Sequence, residues 1–147
     1  MYSITKEIYF CYGHRLMQHP GKCKNLHGHS VKAAITVSAS SLNQQGMVCD
    51  FADIQHPLAR YIDSELDHNL LLHRDDPLIG HLVESGERFT ALDEPPTAEV
   101  LARMIYQAAR QAGLPVSSVT LWETASACAR YSEADAPALC ESGTVVV

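Results

Sequence analysis

The stretch Cys23-Lys24-Asn25-Leu26-His27-Gly28-His29 constrains this chain more than any other part of it. It runs directly into residues 30–37, where Val31, Ala33, Ile35 and Val37 recur at every second position. That period marks a β-strand with one apolar face. His27 and His29 share the register of those apolar residues, so both imidazoles sit at the rim of an apolar surface. Gly28, between them, leaves room above the opposite face. Two imidazoles held side by side on a strand suit a transition metal, and neutral imidazole suits zinc. Cys23, four residues upstream of His27, is either a further ligand or a reactive thiol. An earlier strand-like run over residues 8–13 ends on His14. If the two strands pair as a hairpin, His14 reaches the same metal. Three protein ligands with an open position form the catalytic zinc pattern, whereas a closed shell of four is structural.

Taken singly, these residues have duller readings. A histidine at a strand end is usually a cap or a surface group, and a lone cysteine is usually a small buried hydrophobe. Their conjunction points to a site. The remaining cysteines (Cys11, Cys49, Cys128, Cys140) and His19, His56, His73 and His81 read as packing or surface groups.

A chain of 147 residues is most simply one domain with a real core. With 46% hydrophobic and 19% charged residues, disorder is not expected. The net charge of -6 and the lack of a basic cluster argue against nucleic-acid binding, though not against a small anionic substrate. Five cysteines, an odd number, and an N-terminus without a signal-peptide pattern argue for a reducing cytoplasm. No apolar run has the length of a membrane span, so no membrane partner is expected.

Residues 2–13 and 28–41 read as strands. Asp50 is placed to cap a helix over 52–65 carrying Ile54, Leu58 and Ile62, with Pro57 as a local blemish. Residues 73–96 contain Pro77, Gly80, Gly86, Pro95 and Pro96, and read as a long loop with a helical turn near 77–84. Thr97 is the N-cap of a second helix that Gly113 ends. Residues 116–124 and 127–132 read as two more strands. The expected architecture is α+β, a four-stranded antiparallel sheet with two helices on one face. Residues 1–133 form the domain and 134–147 a C-terminal extension. An uncovered sheet face invites association of subunits.

Two further groups carry chemistry. Asp67-His68 pairs a carboxylate with an imidazole, as an orienting pair or as a helix end. Glu123 falls with Val119 and Leu121 on the apolar face of its strand, which points to a buried acid kept for a purpose. Such an acid is suited to hold a planar N–C–N donor edge.

In this order, Phe10-x-x-x-His14, Cys23-x-x-x-His27-Gly28-His29, Asp50-Phe51, Leu66-Asp67-His68, Pro96-Thr97-x-Glu99 and Glu123-Thr124 resemble the 6-pyruvoyl tetrahydropterin synthase / QueD family, over residues from about 4 to 133. The resemblance implies the tunnelling fold, assembled through its sheets into an oligomeric barrel with active sites at subunit interfaces. It makes His14, His27 and His29 ligands of Zn2+ and Cys23 the general base. Asp67 and His68 become its relay or the acid that returns a proton. Glu123 becomes the anchor of the pterin, with Thr97 and Thr124 in neighbouring contact. The implied substrate is 7,8-dihydroneopterin triphosphate. The three-residue spacing between the thiol and His27 resembles the bacterial QueD type. That type implies a zinc-dependent lyase forming 6-carboxy-5,6,7,8-tetrahydropterin, acetaldehyde and triphosphate, on the way to queuosine. A sister enzyme forming 6-pyruvoyl-tetrahydropterin or cleaving the side chain, and a non-catalytic zinc- or pterin-binding module, are the rival readings.

Overall fold

The computed structural model describes residues 1–133; the extension expected at 134–147, with Cys140, lies outside the described residues. The frame is a long hairpin. β1 (Tyr2–His14) pairs antiparallel with β2 (His27–Ala39), from Tyr2 opposite Ala39 to His14 opposite His27. The alternation read from the sequence orients both strands. Phe10, Tyr12, Val31, Ala33, Ile35 and Val37 face a core, while Ser3, Thr5, Glu7 and Tyr9 face outward. β5 (Val116–Thr124) lies antiparallel to β2, and β6 (Ala127–Tyr131) closes that side.

Two helices cover the inward face. α1 (Phe51–Glu65) starts with a capping box in which Asp50 accepts from the backbone of the first turn and Asp53 reaches back. It buries Ile54, Leu58 and Ile62, and Pro57 sits inside it without ending it. α3 (Ala98–Gln111) is capped by Thr97 and buries Leu101, Ala102, Ile105, Tyr106 and Ala109. Both helices share one core with the sheet. Burying each of these larger side chains contributes about 1.5–3 kcal/mol.

The sheet is larger than the four antiparallel strands expected. Its order is β4-β3-β1-β2-β5-β6. β3 (Asn69–His73) and β4 (Thr90–Leu92) extend it beyond β1, each parallel to its neighbour, so the sheet is mixed. β3 carries an unbroken apolar triplet instead of an alternation, and β4 has only three residues. Neither offers a period to read. The helical turn expected near 77–84 is a full third helix, α2 (Leu78–Ser85), closed by Gly86 at φ 70°. None of the residues of α2 is fully buried. Among the described residues no helix is long and apolar enough to cross a membrane.

Candidate active site

The antiparallel register sets His14 directly opposite His27 and Tyr12 opposite His29. All four side chains point inward, at the end of the hairpin where the core thins. The three imidazoles lie with ring centroids 4.5–5.2 Å apart, and their ligand nitrogens are all within 4.8 Å of one another.

The outer nitrogens fix the tautomers. His14 Nδ1–H donates to the Pro96 carbonyl at 2.7 Å, and His27 Nδ1–H donates to the Asn25 carbonyl at 2.7 Å. A carbonyl only accepts, so in the neutral rings both Nε2 atoms carry lone pairs. Yet these two Nε2 atoms are 3.0 Å apart. Two lone pairs facing each other at that distance require a cation. His29 Nε2 is buried and has no hydrogen-bond partner among the described residues. Burial pushes the His14 pKa down, favouring the neutral, metal-binding ring. The donor set fits zinc, and the two carbonyls hold the His14 and His27 rings in orientation through their Nδ1–H groups.

Glu123 joins this cluster from β5. The pairing of β5 with β6 skips it, a bulge between Trp122 and Thr124. Its Oε1 accepts from the Tyr12 hydroxyl at 3.0 Å, and lies 3.4 Å from His29 Nε2 and 3.6 Å from His14 Nε2. The inward placement expected from alternation is what the strand adopts. Tyr12 is 3% exposed. Burial and the adjacent Glu123 charge push its pKa far above the usual phenol value, so it stays a donor.

Cys23 lies on a short 3-10 turn, Lys22–Lys24, and is half-buried. Its carbonyl accepts from Leu16 N–H at 2.8 Å, which ties this loop to the end of β1. Among the described residues its thiol joins no cluster of metal-type donors.

The Asp67-His68 pair follows α1 and meets β1 from the other side. Asp67 Oδ1 accepts from Cys11 N–H at 3.0 Å, and Oδ2 accepts from His68 Nδ1–H at 2.8 Å. The first of these contacts, then the second, holds the Asp67 carboxyl below the usual range. His68 adopts φ 50°, a left-handed conformation uncommon outside glycine, and its N–H donates to the Cys11 carbonyl at 2.8 Å. Cys11, expected to be a packing residue, therefore sits with this pair, its thiol among their donor atoms. A cavity of about 550 Å³ is lined by Cys11, His27, Gly28, His29 and His68 together with neighbouring residues, so it touches both clusters.

The two threonines do local work. Thr97 Oγ1 accepts from Val100 N–H at 3.3 Å as the cap of α3, next to the Pro96 carbonyl that holds His14. Thr124 Oγ1 accepts from Ser126 N–H at 3.4 Å in the exposed turn before β6. Sequence reasoning passed over Tyr12 altogether. Its signal was its place between Phe10 and His14 on the inward face, where a buried phenol must find a partner.

Residues 3–134 match the family model described as 6-pyruvoyl tetrahydropterin synthase. A 6-carboxy-5,6,7,8-tetrahydropterin synthase of Rickettsia typhi is 40% identical over 104 residues, covering 69% of this chain and 75% of that protein. Among solved structures, an uncharacterised protein of Wolinella succinogenes superposes with TM-score 0.74 at 28% identity, over 89% of this chain and 97% of that one. The 6-pyruvoyl tetrahydropterin synthase of Caenorhabditis elegans, 19% identical, superposes with TM-score 0.67 over 90% of this chain and 95% of that one, and so shares the fold. With the histidine cluster on the hairpin and the family match over nearly the whole described chain, the protein belongs to the 6-pyruvoyl tetrahydropterin synthase family.

Proposed function

We propose that this chain is a zinc-dependent lyase that converts 7,8-dihydroneopterin triphosphate into 6-carboxy-5,6,7,8-tetrahydropterin, acetaldehyde and triphosphate. The observation that carries this reading is the convergence of His14, His27 and His29 on one point with the Glu123 carboxylate beside it. The choice of product follows the names of the 31–40% identical relatives, which are 6-carboxy-5,6,7,8-tetrahydropterin synthases.

His14, His27 and His29 would hold zinc, which supplies a Lewis acid that acidifies C–H bonds beside substrate hydroxyls. Glu123 accepts the two N–H donors of the amino-pyrimidine edge, and Tyr12 keeps that carboxylate aimed. Thr97 and Thr124 take neighbouring contacts. Cys23 removes a proton from a side-chain carbon as the thiolate. Asp67 orients His68 through its Nδ1–H, so that Nε2 is free to return a proton.

We further propose that the protein works in the cytoplasm as a homo-oligomer built through its sheets, with sites at subunit boundaries. The outward face of β1, where Tyr9 is 71% exposed, supports this, and so does the separation of Cys23 from the Asp67-His68 cluster. The four described cysteines are free, as suits a reducing compartment.

Mass spectrometry of the reaction of zinc-loaded protein with dihydroneopterin triphosphate tests the reading. Acetaldehyde and the carboxypterin are expected. A pyruvoyl or hydroxymethyl pterin without acetaldehyde would assign the sister chemistry. Cys23→Ala should lose turnover by about 10²–10⁴-fold, the scale of a lost acid–base group, with zinc content retained. Unchanged turnover in that variant would remove Cys23 as the base, and a wild type that turns nothing over would leave a zinc- or pterin-binding module.

A further inference from the structure

A second set of donors lies outside the histidine site. Cys11, Asp67 and His68 bring a thiol, a carboxylate and an imidazole together, their donor atoms all within 4.8 Å of one another. Backbone contacts fix the set. Cys11 N–H donates to Asp67 Oδ1 at 3.0 Å, and His68 N–H donates to the Cys11 carbonyl at 2.8 Å. Cys11 alternates to the face of β1 opposite Tyr12 and His14, so its thiol is separate from the histidine cluster of the same chain. Cys11 and His68 line the cavity of about 550 Å³, which gives small ions access.

We propose that Cys11, Asp67 and His68 form a second divalent-cation site, and that a cation bound there takes His68 out of proton exchange and inhibits turnover. The inhibitory part rests on the relay proposed for Asp67 and His68; the binding part does not. A thiolate with an imidazole and a carboxylate selects zinc, cobalt or cadmium over magnesium or calcium. Metal–ligand bonds of about 2.0–2.3 Å in a tetrahedral array separate donors by about 3.3–3.8 Å, so a small closure of the cluster completes the site. His68 Nδ1 and Asp67 Oδ2 now share a proton across 2.8 Å. On binding, the cation takes Nδ1, the ring proton moves to Nε2, and the Cys11 thiol proton goes to solvent.

Cobalt titration of the metal-stripped full chain decides the binding. The first equivalent should fill the three-histidine site, with ligand-field bands alone. The second should bring a near-ultraviolet thiolate-to-cobalt charge-transfer band. Cys11→Ser should abolish that band and the second equivalent, whereas Cys23→Ser keeps both. His27→Ala should lose the first equivalent and keep the band. A single equivalent in the wild type, or a band that survives Cys11→Ser and vanishes in Cys23→Ser, overturns the site. Excess zinc should then slow the wild type by about a hundredfold, the scale of a lost acid–base partner, and leave Cys11→Ser nearly unaffected. Equal zinc sensitivity of the two proteins overturns the inhibitory role. If no variant turns over under any condition, the lyase reading fails, and the cobalt band still decides the second site.

Discussion

Tyr12 is the polar end of an otherwise apolar strip. Its hydroxyl is the neutral donor that Glu123 accepts, and the same carboxylate faces two imidazole nitrogens. Removing that hydroxyl leaves the carboxylate free to turn toward the histidines. Tyr12→Phe should therefore raise KM for the pterin about tenfold, the worth of one hydrogen bond to a charged group. Zinc content should stay unchanged. Steady-state kinetics with metal analysis separates this from a general loss of structure, which would lower both. At this scale the sequence was legible where chemistry and period coincided. His27, His29 and Glu123 each stood out as polar groups in an apolar register. Tyr12 did not, because tyrosine is an ordinary strand residue and only its burial makes its hydroxyl conspicuous. Cys11 was hidden for a different reason. Its partners lie 56 and 57 positions later in the chain, and nothing local announces them.

The β1–β2 hairpin carries most of the site, and its tightest point is Gly28. A Cβ at Gly28 would come within 2.9 Å of the Tyr12 carbonyl oxygen, which is backbone and cannot swing away. Gly28→Ala must push the strands apart between the two histidines. We expect a stability loss of about 1–3 kcal/mol, as for overpacking elsewhere. Zinc affinity should fall with it, because His27 and His29 flank the displaced residue. Chemical denaturation and zinc titration measure the two effects. Gly80→Ala is the control: it lies in α2 with nothing within 4 Å of the new methyl, and should leave zinc binding untouched. The contrast follows what was readable. β1 and β2 announced themselves through alternation because each has one buried face, and β5 did so over Val119 to Glu123, beyond the stretch from Val116 to Val119 that is buried on both faces. β3 did not, since Leu71 and Leu72 are both fully buried and the two-residue period vanishes. α2 showed only as a helical turn near 77–84, because Pro77 and Gly86 bound just eight residues.

For the whole molecule, one ion pair joins the site to its periphery. Arg15, next to His14, donates through Nε to Asp76 Oδ2 at 2.7 Å and makes a second contact with Oδ1, which also accepts from Leu78 N–H. Arg15 first, and the Leu78 N–H in addition, hold the Asp76 carboxyl below its usual range. A depressed native pKa stabilises the fold above the ordinary aspartate value of about 3.9 and loses that contribution as pH falls through the native value. Acid unfolding should therefore steepen below about pH 4, and Asp76→Asn should flatten that dependence. Because the Arg15 side chain keeps 23% exposure, the variant should lose about 2 kcal/mol at neutral pH, less than for a fully buried pair. Assembly sets the other molecule-wide expectation. Within one chain Cys23 joins no donor cluster with Asp67 and His68, so the roles proposed for them need loop movement or a subunit boundary to bring them together. Co-expressing Cys23→Ser with His68→Ala distinguishes these routes. If each site draws its thiol from one subunit and its imidazole from another, random mixing of equal amounts gives about a quarter of the sites both intact groups. Activity should then rise to that fraction of wild type, although each parent alone is nearly inactive. A site contained in one chain gains nothing from mixing, and activity no greater than the average of the parents would rule the shared site out.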